Sequence, residues 1–261
     1  MISVVIRNKN QDVALEFLLS SLTRRYANDI AEIIVLDNLS VDKSEEITKK
    51  YGARFETIKE FSYGGSANVA AELSKNPYVV IFSAHSYPVS PDFFTVIMDK
   101  FSADPNLAGL RCLHTSNDYK SYILGIDAKQ DPNKSGLIFS GSAFNREVWK
   151  KIPFNENVPT FEDKDWTKRV LKAGYTIDFA PVVFSYDIKR NPAQEYFRFT
   201  RDVRGNYQIW QQEYSVLSAF KGFLMALFRA FKQFIIQIIY AFKRLFYLIR
   251  FKFNLPEKFR Y

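Results

Sequence analysis

Asn76–Phe94 reads NPYVVIFSAHSYPVSPDFF, and the architecture of the chain follows from it. Tyr78 to Phe82 is an unbroken apolar run rich in β-branched residues, which predicts a strand buried on both faces. Ser83, Ala84, His85 and Ser86 come next, and Pro88 and Pro91 are expected to stop regular pairing beyond them. Open α/β sheets bind ligands outside the carboxyl ends of their strands. A small polar tetrad there, holding one of only two histidines in the chain, is a candidate site. The competing reading is a strand-to-loop turn with an incidental histidine.

Working outward, strands and helices alternate. N-terminal to the run, Ser3–Ile6, Glu32–Leu36 and Arg54–Ile58 read as strands. Val13–Leu22, Asp42–Lys50 and Ser66–Leu73 read as the intervening helices, with Gly52 as a C-cap. That order predicts a mostly parallel central sheet flanked by helices. C-terminal to it, Phe93–Phe101 is helical, and Leu107–Leu113 and Leu137–Ser140 are expected strands around a polar loop, Thr115–Ser135. Phe144–Lys151 is a short helix. A longer helix is expected over Thr160–Ala173, with Thr160 as N-cap, acids in its first turn and Gly174 as C-cap. Thr176–Tyr186 supplies the last strand.

A chain of 261 residues that is 47% hydrophobic can bury a substantial core. The single cysteine, Cys112, excludes an internal disulfide and fits a reducing compartment. The strand-like start at Ile2 carries no basic leader, so the fold is expected to begin with the first residues. The net charge of +8 sits in one place. Residues 214–261 contain nine Lys or Arg and one acid, and the remainder is balanced. A neutral body lacks the basic stripe of a nucleic-acid groove.

Six stretches in order (SVVIRNKN, EIIVLDNLSVDKS, FSYGGSAN, VVIFSAHSYPVSPDFF, SGSAFNREVWKKIPFNE and FEDKDWTKRVLKAGY) resemble the successive blocks of a family 2 glycosyltransferase, closest to the bacterial branch that builds surface polysaccharides. The resemblance covers roughly residues 1–190. It implies the GT-A fold, a Rossmann-like α/β domain over 1–213, and a nucleotide-sugar donor. It places Arg7, Asn8, Asn10, Asp37, Asn38, Ser40, Asn68, Ser83 and His85 with the donor. A carboxylate at Asp37 can accept from a nucleobase N–H, and Arg7 can pair with phosphate; an ordinary turn in which Asp37 satisfies backbone N–H groups is the alternative.

The family's usual Asp-X-Asp is absent, and His85 stands where its last carboxylate would be. Imidazole suits Mn²⁺ better than Mg²⁺. Asp187, where the family often has a histidine, completes an implied N/O ligand pair for a divalent cation, Mn²⁺ or Mg²⁺; the alternative is that no metal binds and basic groups offset the leaving diphosphate. The resemblance also makes Asp163 the general base of an inverting transfer, with Glu162 in support, and sets Trp166 against the acceptor, a core tryptophan being the equal alternative. Without it, Glu162 and Asp163 read as helix-dipole partners, Asp163 closing a capping box with Thr160.

The remaining element is a basic amphipathic tail over 214–261. Lys221, Arg229, Lys232, Lys243 and Arg250 fall within roughly 80° on a helical wheel, with Phe, Leu and Ile mainly elsewhere. The longest uncharged stretch, 233–242, is too short to span a bilayer. An interfacial helix on an anionic membrane is therefore expected, rather than one packed on the body or in a dimer. The whole reading is an inverting glycosyltransferase at the cytoplasmic face of the cell membrane. It would carry a sugar from a UDP- or dTDP-sugar to a lipid-linked saccharide. The alternative is a nucleotide-sugar-binding scaffold that has lost catalysis.

Overall fold

The computed structural model describes residues 1–188 and 190–259. The chain divides into two compact units, one spanning 1–211 and one beginning at Gln212. In the first unit the elements follow in the order β1 (Ile2–Asn8), α1 (Asp12–Arg25), β2 (Ile30–Asp37), α2 (Ser44–Lys50), β3 (Arg54–Thr57), α3 (Tyr63–Leu73) and β4 (Tyr78–Ser83). Then come β5 (Ser86–Pro88), α4 (Phe93–Ala103), β6 (Leu107–Leu113), α5 (Ser116–Ile123), β7 (Ser142–Asn145) and α6 (Arg146–Lys151). α7 (Glu162–Lys172), β8 (Thr176–Tyr186) and α8 (Pro192–Trp210) complete it.

The eight strands form one sheet in the order β3-β2-β1-β4-β7-β6-β8-β5. β1 pairs in parallel with β2 and β4, and β6 with β8; β7 and β5 run against their neighbours. Asn8, Asp37, Ser83, Leu113 and Tyr186 therefore end their strands along one edge of the sheet. Strand periodicity of two sends successive side chains to opposite faces. Val4, Ile6, Val80 and Phe82 accordingly enter the core under α1 and α4, while Val5, Ile34, Leu36, Val79 and Ile81 enter the core with α3 and α7. The sheet is covered on both sides, as the apolar run at Tyr78–Phe82 predicts.

Four expectations need correction. Leu137–Ser140 is not a strand, because its N–H groups leave the ladder for side chains: Leu137 N donates to Thr167 Oγ1, Ile138 N to Ser142 Oγ and Phe139 N to Asp163 Oδ2. Pairing starts only past Gly141, whose φ of +83° and N–H to the Ile81 carbonyl (2.7 Å) turn the chain into β7. A Cβ at Gly141 would stand 2.5 Å from the Phe184 ring. Pro88 does end the pairing, but the segment before it is not all loop: Ser86–Pro88 forms β5, antiparallel to β8 as the outermost strand, where the proline's missing donor is tolerated. The polar stretch from Thr115 is not all loop: Thr115 and Asp118 form a reciprocal capping box that starts α5. Finally, Thr160 does not cap α7; Phe161, in the left-handed region at φ +64°, precedes its first turn with no side-chain cap.

The second unit contains α9 (Val216–Phe253), 38 residues with none buried. At 1.5 Å per residue it is about 57 Å long. By length and mean hydropathy (1.5 over an 18-residue window) it meets the requirement for crossing a membrane, a property that the short charge-free stretch 233–242 had concealed.

Candidate active site

The sheet edge described above carries two acidic sites of different character. At the β1–β2 ends, Asp37 is 2% exposed and its carboxylate is taken up locally. Oδ1 accepts from Asn8 Nδ2 (2.8 Å) and Ser40 Oγ (2.6 Å), and Oδ2 from Ser40 N (2.7 Å). Asn10 joins the same knot: its N–H reaches Ser40 Oγ and its side chain accepts from Val41 N. The sequence reading had Asp37 either accepting from a nucleobase or satisfying its own turn; the turn is what this geometry displays. Asn38 sits beside it half-buried, its backbone N–H on the Asn8 carbonyl. Among the described residues neither its side chain nor the Ser83 hydroxyl makes a hydrogen bond.

Three expected ligands prove to be structural. Asn68 spends its whole hydrogen-bonding capacity inside the protein. Nδ2 donates to Phe154 O and Glu156 Oε1, and Oδ1 accepts from Trp149 Nε1 and Phe154 N. It clamps α3 to the segment after α6 and has nothing left for a donor. Trp166 is 0% exposed, packed on Phe144 and Phe154, with Nε1 on the Ile152 carbonyl. A ring so enclosed meets no acceptor; α7's apolar stripe is what places it there. Arg7 is turned inward rather than toward phosphate: Nη2 donates to the Tyr63 carbonyl (2.9 Å) and Nη1 lies 3.4 Å from Glu162 Oε1. Its guanidinium stands between the Tyr63 and Phe139 rings.

The second acidic site is the start of α7. Asp163 accepts from Lys164 N (2.7 Å, Oδ1) and Phe139 N (2.9 Å, Oδ2), so it closes no capping box with Thr160. One lone pair on each oxygen remains. Asp163 lines a cavity of about 510 Å³ together with Tyr63, His114, Tyr186 and the inner face of α8. Glu162 is buried beside it. Burial first, and the Asp163 charge second, push the Glu162 carboxyl up to about 7, against the opposing pull of Arg7. Lys164, also buried, donates to the Gly136 carbonyl (3.1 Å), and desolvation pushes its ammonium down to about 7.

His85 lies at the end of β4, its Nδ1 2.7 Å from Gln11 Oε1 and its ring edge-on to Tyr186. Nε2 is buried without a partner. Burial, followed by the nearby Arg190 charge, lowers the imidazole pKa and keeps the ring neutral, the form in which it binds metal. The Asp187 N–H is tied to the His85 carbonyl (2.9 Å), and the exposed Asp187 side chain acts electrostatically on the ring. No group of three His, Cys, Asp or Glu gathers among the described residues. A cation here would take its remaining ligands from a bound diphosphate and water, a set the unpartnered Nε2 fits.

The far wall of the cavity was missed in the sequence. Gln194, Phe197, Arg198, Arg201 and Asp202 line it at helical spacing from α8. The signal was present in Asn191-Pro192-x-Gln194: Asn191 and Gln194 form a capping box with Pro at the first turn. Gly205 lets α8 approach, since a Cβ there would stand 2.5 Å from the Phe161 ring. His114 stacks on Phe184, contacts Asp118 at 2.9 Å and lines the same cavity.

No curated protein sequence matches the chain. Among solved structures, a mannosyltransferase from Pyrobaculum calidifontis in complex with GDP-mannose and Mn²⁺ superposes with a TM-score of 0.64 at 19% identity. That match covers 83% of this chain and 66% of the mannosyltransferase, just under two thirds of its length. Glucosyl-3-phosphoglycerate synthase from Mycobacterium tuberculosis, with Mn²⁺ and UDP-glucose, gives 0.59 at 17% identity, covering 82% of this chain and 80% of the other. At such identities these likenesses establish the GT-A fold alone. The family description "Glycosyl transferase family 2" matches residues 3–168, from β1 to the acid pair of α7 and beyond it. With more than half of the sequence matched, and with the sheet edge and acids placed as described, the chain belongs to glycosyl transferase family 2.

Proposed function

We propose that the protein transfers a sugar, with inversion, from a UDP- or dTDP-sugar to a lipid-linked saccharide in the building of a bacterial surface polysaccharide. The observation that carries the reading is Asp163: a buried carboxylate with free lone pairs on the wall of a 510 Å³ cavity, oriented by two backbone N–H groups. In this reading Asp163 removes the proton of an acceptor hydroxyl, whose oxygen attacks the anomeric carbon from the face opposite the leaving group. The bond from that carbon to the diphosphate oxygen breaks, and the nucleoside diphosphate departs with the electron pair. Glu162, tied to Arg7, fixes the first turn of α7. Asn38 and Ser83, with the loop that Asn8, Asn10, Asp37 and Ser40 hold in shape, form the donor side.

His85 and Asp187 would hold a divalent cation, Mn²⁺ in preference to Mg²⁺, and the chemistry it would supply is neutralisation of charge on the departing diphosphate. The two structural neighbours, crystallised with Mn²⁺ and a nucleotide-sugar, support this assignment. A scaffold that has lost catalysis is disfavoured, because such a scaffold has no need of an oriented carboxylate on the cavity wall.

The organisation into a transferase domain (1–213) and a membrane-associating tail (214–261) belongs to the same proposal. On α9 five of the seven bases, Lys221, Arg229, Lys232, Lys243 and Arg250, recur along one stripe among exposed Phe, Leu and Ile side chains, with Arg244 and Lys252 off it. This pattern favours lying on an anionic membrane at the cytoplasmic face over crossing it. Turnover tests the reading: the full chain with radiolabelled UDP- and dTDP-sugars, Mn²⁺ and a lipid-diphosphate saccharide should release nucleoside diphosphate and label the lipid. Failure across a broad donor panel, with nucleotide binding intact, returns the scaffold alternative.

A further inference from the structure

The cavity wall formed by α8 holds more positive charge than the protein itself uses. Arg201 rests on the rings of Tyr63 (5.8 Å) and Phe197 (4.8 Å), and among the described residues it has neither an ion pair nor a hydrogen bond. Arg198 meets Asp202 only at 3.5 Å, longer than the roughly 2.7–2.9 Å of a strong charge-assisted bond. Arg190 meets Glu195 at 3.6 Å. Each guanidinium carries five donors, so most of these N–H groups have no partner in the protein. Among the described residues the only carboxylates on the cavity lining are Asp163 and Asp202.

These arginines occupy two places. Arg190 lies near His85, whose pKa its charge lowers, and so belongs with the donor's diphosphate. Arg201 comes nine residues after the first residue of α8, about 14 Å along the helix axis. It shares the Tyr63 ring with Arg7, whose other contact is Glu162, the neighbour of Asp163. Arg201 is thereby tied, through Tyr63 and Arg7, to the acid pair rather than to His85. Arg198 and Arg201 are three apart and present the same helix face. Planar guanidinium forks held on aromatic rings are suited to phosphate oxygens.

Resting on the glycosyltransferase reading, we infer that Arg198 and Arg201 bind a phosphate or diphosphate group of the acceptor, so that the acceptor enters as an anion with its hydroxyl beside Asp163. The sugar-accepting molecule is then a phosphorylated one, and its charge, rather than its sugar alone, selects it.

The test uses the full chain in neutral detergent with farnesyl diphosphate as probe, farnesol as the control for partitioning into the detergent and tail, and UDP and dTDP as donor-side ligands. Farnesyl diphosphate should bind in the presence of saturating UDP or dTDP, and farnesol should not. Arg201→Gln and Arg198→Gln should each weaken farnesyl diphosphate binding tenfold or more and leave nucleotide binding within about twofold. Arg201→Lys should fall between, and Arg24→Gln, an exposed arginine on α1, should change nothing. Unchanged melting temperatures would show the variants folded; should Arg201→Gln unfold, Arg198→Gln and Arg201→Lys carry the test. Complete displacement of farnesyl diphosphate by nucleotide, or undiminished binding in the glutamine variants, overturns the inference. Arginine-dependent diphosphate binding in a protein that binds no nucleotide would keep the anion site and remove the nucleotide-sugar reading instead.

Discussion

Asp37 and Asp163 are both buried carboxylates at the same edge of the sheet, yet their surroundings assign them different work. Asp37 accepts three hydrogen bonds from its own turn and from β1. Asp163 accepts two, both from backbone N–H groups, and faces a cavity. Asp37 keeps one lone pair, on Oδ2, and its other three hold the loop together. Asp163 keeps two, faces a cavity and has a protonatable neighbour in Glu162, so it is available for proton transfer. Acidity and burial alone do not separate the two; the count of unspent lone pairs does.

The comparison breaks most visibly at Asp163. Asp163→Asn should leave nucleotide binding and the fold in place and lower transfer by about two to four orders of magnitude. Near-normal turnover would remove Asp163 from the reaction. Asp37→Asn should do the reverse. An amide there sets an NH₂ against donors it cannot satisfy, at about 1–3 kcal/mol, so a lowered melting temperature is the expected readout, with any loss of rate following from the looser turn. An unchanged melting temperature would mean that the knot at Ser40 contributes little.

Glu162 sharpens the contrast through pH. Its folded pKa, about 7, lies above the ordinary glutamate value of 4.5, so the native state favours the protonated form. The stability linked to that proton is full below about pH 4.5 and is lost as pH rises through about 7. Glu162→Gln cannot lose it. The melting temperature of the variant should therefore gain on that of the parent between pH 5 and pH 8; a difference flat across that range would show Glu162 already ionised.

The smallest expected effect on folding lies in the second unit. None of α9 is buried, so truncation after Glu213 should shift the melting temperature of the remaining domain by little, while vesicle binding to anionic lipid is abolished. In the full chain, vesicle binding should weaken with salt and keep a residual part from the apolar face. Unfolding of the truncated protein would make α9 part of the core.

Much of this was legible in the sequence because it depends on local chemistry. The run Tyr78–Phe82, the limits of Leu107–Leu113 and Thr176–Tyr186, and the one-sided charge of the tail all follow from short-range pattern, and tertiary contacts had only to accept them. The resemblance brought the acid pair forward, though the residues alone favoured a helix cap. Tertiary structure decided the rest, because hydrogen bonds to distant partners leave no periodic trace. Phe139 N–H reaches Asp163 across 24 positions, which unmakes a strand and frees the acid from its cap. Asn68 and Trp166, polar and amphipathic in type, were claimed by Phe154, Trp149 and Ile152 from other elements. Arg7 was drawn inward by Glu162, 155 positions away, and the arginines of α8 were brought to the cavity by the close approach at Gly205. Which polar groups remain unspent is a property of the assembled fold, since each can be satisfied only by whatever the chain packs against it.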